Sequence, residues 1–334
     1  MNKCVLVTGG SGFIGSALVR LLLQATDWLV VNVDKLTYAA SPNALASAAG
    51  HPRYRFYQQD ICDTAALSAI FALHQPHAVM HLAAESHVDN SIQSALPFMQ
   101  SNIIGTFSLL EASRAYFAGL TAAEQQAFRF LHVSTDEVYG DLPVAAAPLT
   151  EEANYQPSSP YSASKAASDH LVFAWLRTYG LPVLMTHCTN NYGPFQHAEK
   201  LIPLMISRAL QQQALPVYGD GQQIRDWLYV DDHAQALLKV LTSGSVGERY
   251  NVSGNNQLTN LTVVHTLCEL LDELASAQRG NLTSFKQLIQ FVTDRPGHDR
   301  RYALNSDKLQ RELQWQAQTR FADGLRHTLL SYLP

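Results

Sequence analysis

The stretch Cys4-Val5-Leu6-Val7-Thr8-Gly9-Gly10-Ser11-Gly12-Phe13-Ile14-Gly15 reads as a strand, a glycine turn and the opening of a helix. Its four leading apolar residues suit a buried strand, and Ala17, Leu18, Leu21 and Leu22 then recur at helical spacing. Gly10, Gly12 and Gly15 keep the spacing G-x-G-x-x-G. Without side chains in the way, such a turn lets backbone N–H groups and the positive end of the following helix meet a pyrophosphate. A glycine triplet alone is weak evidence, so the elements that follow it decide its meaning.

Trp28-Leu29-Val30-Val31-Asn32-Val33 supplies a second strand, closed by Asp34 nineteen residues after Gly15. A carboxylate there accepts hydrogen bonds from adenosine ribose hydroxyls and repels a 2′-phosphate, which favours NAD over NADP. Tyr54 to Gln59 reads as a third strand, with Asp60 and Ile61 at its end placed to flank an adenine. A helix is expected from Thr64 to His74, a fourth strand from His77 to Leu82, and a single long helix from Ser91 to Phe117. Ala83 and Ala84 leave room for a flat ring or ribose at that fourth strand end. His81 within the strand reads as a hydrogen-bonded core residue, whereas His87 beyond it stands where a substrate can be touched. Strand and helix alternate as a parallel sheet requires.

Composition narrows the class. The chain has 334 residues, 47% hydrophobic and 15% charged, enough for one large α/β domain or a domain with a smaller lobe. Twenty-eight acidic residues against 23 basic ones give a formal charge of −5, so neither nucleic acid nor an anionic membrane is favoured as a partner. Cys4, Cys62, Cys188 and Cys268 are widely spaced and suggest neither a disulfide framework nor a zinc site. They read as small buried side chains in a reducing compartment. No apolar run reaches the roughly 18 residues of a membrane span, and the run after Met1 is too short for a signal peptide, so the cytoplasm is expected.

The chemistry-bearing stretch comes next. The apolar run Phe128 to Val133 leads into Ser134-Thr135-Asp136-Glu137-Val138-Tyr139-Gly140, two adjacent carboxylates at the carboxyl end of a strand, where open α/β sheets form ligand crevices. Ser159 then suits an N-cap and Pro160 a first helical position. Tyr161 and Lys165 therefore fall four apart on one helix face. The ammonium is expected to lower the tyrosine pKa from about 10 toward a range where the phenol acts as a base.

Leu181 to Cys188 is another strand, ending in Thr189-Asn190-Asn191. Beyond about residue 190 the segments are shorter and more mixed. Glu199 to Pro203 opens a helix, Pro216 to Gly221 reads as a turn cluster, and Arg225 to Asp232 leads into a helix through Leu241. A strand is expected over Arg249 to Val252, a helix from Leu261 to Leu274, a strand around Ile289 and a basic loop from Asp294 to Arg301. Lys200, Arg225 and Arg295 are far apart in sequence, but together they can hold a second diphosphate. The fold class expected is α/β, a Rossmann-type doubly wound parallel sheet with a smaller mixed α/β C-terminal substrate lobe. Residues 1–190 form the NAD-binding part, carrying Thr-Asp-Glu and Tyr-x-x-x-Lys, and 191–334 form the mainly nucleotide-sugar-binding lobe, interleaved with the first.

Together these stretches resemble the extended short-chain dehydrogenase/reductase family over nearly the whole chain, and more narrowly its branch that dehydrates dTDP-glucose. The carriers are Thr8 to Gly15, Asp34 to Tyr38, Leu82 to Asp89, Ser134 to Gly140, Tyr161 to Lys165, Asn190 to Pro194, Glu199 to Pro203, Pro216 to Gly219, Arg225 to Val230 and Asp294 to Arg301. The resemblance implies that Tyr161, helped by Lys165 and Thr135, takes the C4 hydroxyl proton. It implies Glu137 as the base at C5 and Asp136 as the acid toward the departing C6 hydroxyl, giving a 4-keto-6-deoxy sugar. Around NAD it places Gly9, Gly12, Phe13, Ile14, Gly15, Asp34, Lys35, Leu36, Thr37, Asp60 and Ile61. Leu82, Ala83, Ala84, Ser86, Ser101 and Asn191 complete that set with Tyr161 and Lys165. Around the nucleotide sugar it places Ser86, His87, Thr135, Asn190, Lys200, Leu201, Pro216, Val217 and Tyr218, with Arg225, Asn260, Asp294, Arg295 and His298. No metal is implied, and a homodimer through a four-helix interface, about Ser91 to Phe117 and Pro160 to Tyr179 of each subunit, is. Asn90 stands where the family carries arginine, Ser101 where it carries threonine, and Pro334 where it commonly continues. The alternatives are a nucleotide-sugar 4-epimerase, needing only NAD, Tyr161 and Lys165, and a catalytically silent NAD and nucleotide-sugar binder.

Overall fold

The structure is a computed structural model and describes residues 3–333. Met1, Asn2 and Pro334, on which the readings of the two chain ends bear, lie outside the described residues. Twelve strands are described: β1 Cys4–Thr8, β2 Leu29–Asp34, β3 Tyr54–Gln58, β4 Ala78–His81, β5 Arg129–Thr135, β6 Val183–Cys188, β7 Asn190–Tyr192, β8 Leu215–Tyr218, β9 Ile224–Tyr229, β10 Arg249–Val252, β11 Gln257–Thr259 and β12 Ile289–Val292. The α-helices are α1 Phe13–Ala25, α2 Thr64–His74, α3 Val88–Gln93, α4 Leu96–Phe98, α5 Thr106–Ala118, α6 Ala122–Ala127, α7 Pro160–Tyr179, α8 Leu201–Leu210, α9 Val230–Ser243, α10 Asn260–Leu274, α11 Asp307–Leu313 and α12 Phe321–Leu330.

Seven strands build one sheet in the order β10-β6-β5-β4-β1-β2-β3, every pair parallel. Side chains alternate across it. Val5, Val7, Val30 and Leu131 pack with α1 and α9 on one face. Leu6, Val31, Phe130 and Met185 pack with α2, α5 and α7 on the other. Strands buried on both faces have no polar side to show, which is why these runs are continuously apolar rather than alternating. The strand order reverses between β1 and β4, and there the carboxyl ends open the crevice expected of a doubly wound sheet. Three further strands, β11-β9-β7, and the parallel pair β12-β8 join α8, α10 and α12 around a second core that includes Tyr192, Ile206, Trp227, Leu267, Phe285 and Leu325.

Two element expectations are corrected. The helix expected over 91–117 starts at Val88, breaks at Ser94 with extended φ −150° and ψ 100°, and resumes at Leu96 with Pro97 in the first turn. Proline cannot sit inside a continuous helix without losing a hydrogen bond and clashing with the preceding turn. The resumed helix carries a π segment, Met99–Gly105, before α5. Pro216, Val217 and Tyr218, expected in a turn, are strand β8, and only Gly219 to Gly221 turn, with φ of +58° and +70° at the two glycines. Pro216 is tolerated because β8 has a neighbour on one side alone.

Candidate active site

The crevice is built on the N-terminus of α1. Gly12 caps that helix with no side-chain hydrogen bond, and its first turn contains no acidic residue, so its leading N–H groups face the crevice unpaired by side chains. A Cβ on Gly15 would lie 2.0 Å from the Gly9 carbonyl oxygen, and one on Gly9 2.6 Å from the Ala83 nitrogen. The turn is thus tight against β4, while the side of Gly12 meets nothing nearer than Gly9 O at 3.3 Å. This cradle fits a pyrophosphate. Asp34, at the end of β2, accepts from the Ser11 N–H at 2.9 Å and the Leu36 N–H at 2.8 Å, which fixes its carboxylate beside the glycine turn. The residues present therefore fit an adenine dinucleotide.

One cavity brings together Gly9, Gly12, Phe13, Ile14, Gly15, Asp34, Lys35, Thr37, Ile61, Leu82, Ala83, Ala84, Ser86, Ser101 and Asn191. Leu36 and Asp60 are outside its wall. Leu36, at φ +58°, points to solvent, and Asp60 accepts from the Cys62 N–H at 2.9 Å and pairs with Lys35 at 3.6 Å. The same cavity continues to His87, Thr135, Asp136, Glu137, Tyr161, Lys165, Asn190 and Lys200. His81 is a core residue as expected, between Thr8 Oγ1 at 2.7 Å and Thr106 Oγ1 at 2.9 Å.

Strand β5 and helix α7 aim the reactive groups. Ser159 caps α7 through Ser162 N at 3.1 Å in a reciprocal capping box, with Pro160 in the first turn. Tyr161 and Lys165 are buried on the helix face that meets β5. At the end of β5, Thr135 accepts from the Glu137 N–H at 3.3 Å and donates to Asp136 Oδ1 at 3.2 Å. Asp136 Oδ2 is buried with no protein partner. Burial and then the charge of Glu137 push the Asp136 carboxyl far up. Burial also raises Glu137, but Lys200, Arg225 and Arg295 pull it back down. The neighbours thus hold different affinities for a proton.

Tyr161 departs from the sequence reading. Its pKa is raised, by burial first and then by the Glu137 charge, with Thr135 acting the other way. The Lys165 ammonium donates to Val133 O at 2.9 Å, and burial outweighs the positive charge it brings near the phenol.

Lys200, Arg225 and Arg295, scattered in sequence, all act on Glu137. Lys200 Nζ reaches Ser86 O at 3.1 Å, Arg225 lies 4.3 Å over the Tyr302 ring, and Arg295 pairs with Asp89 of α3. Asp294 accepts from Gln223 Nε2 and His298 Nδ1, both at 2.7 Å, and the Gln223 carbonyl accepts from the Asn260 N–H at 2.9 Å. Tyr218 stands edge-on to the His298 ring at 6.3 Å. Apart from Lys200, which lines the cavity, these groups lie outside its wall, with Pro216 and Val217 in β8, whereas Leu201 turns into the second core.

Sequence reasoning missed several wall residues. Glu85, Tyr38, His197 and Glu199 line the cavity, and Glu199 Oε2 lies 3.4 Å from His87 Nε2. Glu85 and Glu199 lie inside stretches already singled out, though neither was named as a site residue, and their charge was the available signal. Asn102, in the π segment, accepts from the Glu85 N–H at 2.8 Å and donates to Ser164 Oγ at 2.8 Å, tying the end of β4 to α7. Nothing in its local sequence indicated that. Among the described residues, no group of three or more His, Cys, Asp or Glu side chains is placed to hold a metal ion.

The chain matches the model of a family described as GDP-mannose 4,6 dehydratase over residues 6–328. It is 57% identical to a dTDP-glucose 4,6-dehydratase of Haemophilus influenzae over 98% of this chain and 97% of the relative. It is 58% identical to that of Neisseria meningitidis, over 98% and 93%. A dTDP-glucose 4,6-dehydratase of Streptomyces venezuelae, solved with NAD and dTDP bound, superposes with a TM-score of 0.89 at 41% identity over 99% of this chain and 97% of that one. A UDP-glucose 4-epimerase of Thermotoga maritima gives 0.85 at 29% identity over 99% and 98%.

Proposed function

The chain belongs to the GDP-mannose 4,6 dehydratase family, and from that premise we propose a specific reaction and a division of labour among its residues. It is a hydro-lyase that dehydrates dTDP-glucose to dTDP-4-dehydro-6-deoxy-glucose with NAD as cofactor. The observation that carries this reading is Asp136-Glu137 standing beside Tyr161 in one cavity. An epimerase has work for the tyrosine but none for two carboxyls of unequal proton affinity. Gly9 to Gly15 and Asp34 would hold NAD, which would accept hydride from C4 and return it to C6.

Tyr161 receives the C4 hydroxyl proton, with Thr135 beside it; the charge of Lys165 and that of the oxidised nicotinamide the cavity would hold would offset the burial that raises the phenol. The 4-keto group acidifies the C5 hydrogen. Glu137, the carboxyl surrounded by Lys200, Arg225 and Arg295, is the more readily ionised of the pair and removes it. Asp136, kept protonated by burial and by the charge of Glu137, donates to the departing C6 hydroxyl. Lys200, Arg225 and Arg295 hold the sugar diphosphate, and Tyr218, Asn260, Asp294 and His298 border its nucleoside.

Residues 1–190 serve the cofactor and the chemistry, and 191–334 mainly the nucleotide sugar, the lobes being interleaved through β10. The protein works in the cytoplasm as a homodimer joined by the α4–α5 and α7 helices of two subunits. Ile104, Phe107 and Tyr179, exposed on those helices, support the dimer. Among the described residues no helix is long and apolar enough to cross a membrane.

Incubation with dTDP-glucose and, separately, UDP-glucose tests the reaction. A 4-keto-6-deoxy product, detected by its base-induced absorbance, is expected with the thymidine sugar. Recovery of a C4-inverted hexose without the 6-deoxy group would replace dehydratase by epimerase.

A further inference from the structure

Beneath Tyr161 and Lys165 lies a buried polar cluster that the proposed reaction leaves without a role. Its centre is Asp169, one turn beyond Lys165 on α7 and 1% exposed. Ser134 Oγ donates to its Oδ2 at 2.8 Å and Tyr155 OH at 3.0 Å. His132 Nε2 lies 3.0 Å from Oδ1 and His187 Nε2 3.2 Å from Oδ2. Two hydroxyl donors converge on Oδ2 and an imidazole stands at each oxygen, a setting that suits a carboxylate. Asp169 is accordingly held far below the usual carboxylate range, by these imidazoles against the effect of burial.

The anion has a cation to serve. Lys165 is buried, which disfavours its ammonium, and the charge of Asp169 is the largest influence opposing that. The His132 ring stands between them, its Nε2 3.4 Å from Lys165 Nζ. Lys165 forms no ion pair within 4 Å among the described residues. Ser134 connects the same carboxylate to β5 one residue before Thr135.

We propose that Asp169 is a positioning residue for the proton-accepting pair, its carboxylate being the buried counter-charge that keeps Lys165 an ammonium and, through Ser134, fixes the strand end carrying Thr135. This rests on the reading of Tyr161 and Lys165 as the group that takes the C4 proton. Asp169 does not line the cavity. The other charges facing the pair are Asp136 and Glu137 at the cavity, Cys188 of β6, which burial keeps a neutral thiol, and Arg249 of β10, which acts on Tyr155 and Tyr139. His132 and His81 are neutral, both lowered by burial. None of these replaces an anion one turn away on the same helix.

Holoenzyme with Asp169→Asn is mixed rapidly with dTDP-glucose, and NADH formation is followed across pH 5.5 to 9.5. Removing a buried anion favours the deprotonated form of both Tyr161 and Lys165, so both limbs of the profile should move to lower pH by about one unit. Reduced amplitude with both limbs in place means a packing role and overturns the proposal. If the variant does not fold, the parent decides. Carbon-13 NMR of labelled aspartate should show the Asp169 carboxyl ionised from pH 5 to 9, and titration within that range also overturns it. A parent that forms no NADH sinks the dehydratase reading instead, while the carboxyl titration still tests Asp169 as the resident anion.

Discussion

Asp136 and Glu137 are neighbours in sequence and unequal in chemistry. Asp136 was legible as an acid at a strand end, but what separates it from Glu137 comes from Lys200, Arg225 and Arg295, 63 to 158 residues away. Replacing Glu137 by Gln should leave C4 oxidation intact, seen as NADH on mixing with dTDP-glucose, and lower turnover to product by about 10² to 10⁴-fold. Unimpaired turnover would reassign the base. Asp136→Asn separates chemistry from stability. The folded protein raises this carboxyl above its unfolded value, so the stability it contributes is present below the unfolded pKa and lost as pH rises through the folded one. Asparagine removes that dependence. The variant should melt about 2 °C higher than the parent at pH 8, with no gain at pH 4, while losing the elimination step. A lower melting temperature at pH 8 would mean that the unpartnered Oδ2 is satisfied in solution.

At the scale of elements, the glycine turn and α7 were readable because their signals are local: residue size at Gly9 and Gly15, and a cap-proline pair at Ser159-Pro160. The helix break at Ser94 was equally local, since Pro97 announces it, yet the apolar pattern continued across it and masked it. The π segment was not legible. It depends on Gly105 lying against Ile61, where a Cβ would come 2.6 Å from that side chain, and on Asn102 reaching Glu85 and Ser164. Gly15→Ala tests the turn. With a methyl 2.0 Å from Gly9 O, α1 must shift from the cradle, at a cost of about 1 to 3 kcal/mol. The purified variant should carry less NAD, read from absorbance at 260 nm against 280 nm, and melt earlier. Full cofactor retention would show that the turn relaxes without moving the helix.

Over the whole molecule, α5 and α7 pack together through Phe107 and Trp175, whose rings stand edge to face at 5.8 Å, and leave Ile104 and Phe107 exposed on one side. Introducing Ile104→Glu and Phe107→Glu together should convert a dimer of twice the 36.9 kDa chain mass into monomers in sedimentation. An unchanged mass would place the subunit contact elsewhere. The sequence by itself determined the alternating sheet, the glycine cradle, Asp34, and the Thr-Asp-Glu and Tyr-x-x-x-Lys pairs, because each is written in short-range spacing: period two, period 3.6, or a turn residue at a fixed offset. Only the tertiary structure decided which cations face Glu137, which way the Tyr161 proton affinity moves, and that a buried aspartate lies behind Lys165. Burial and charge act through space, and the residues that set them come from strands and loops far apart along the chain.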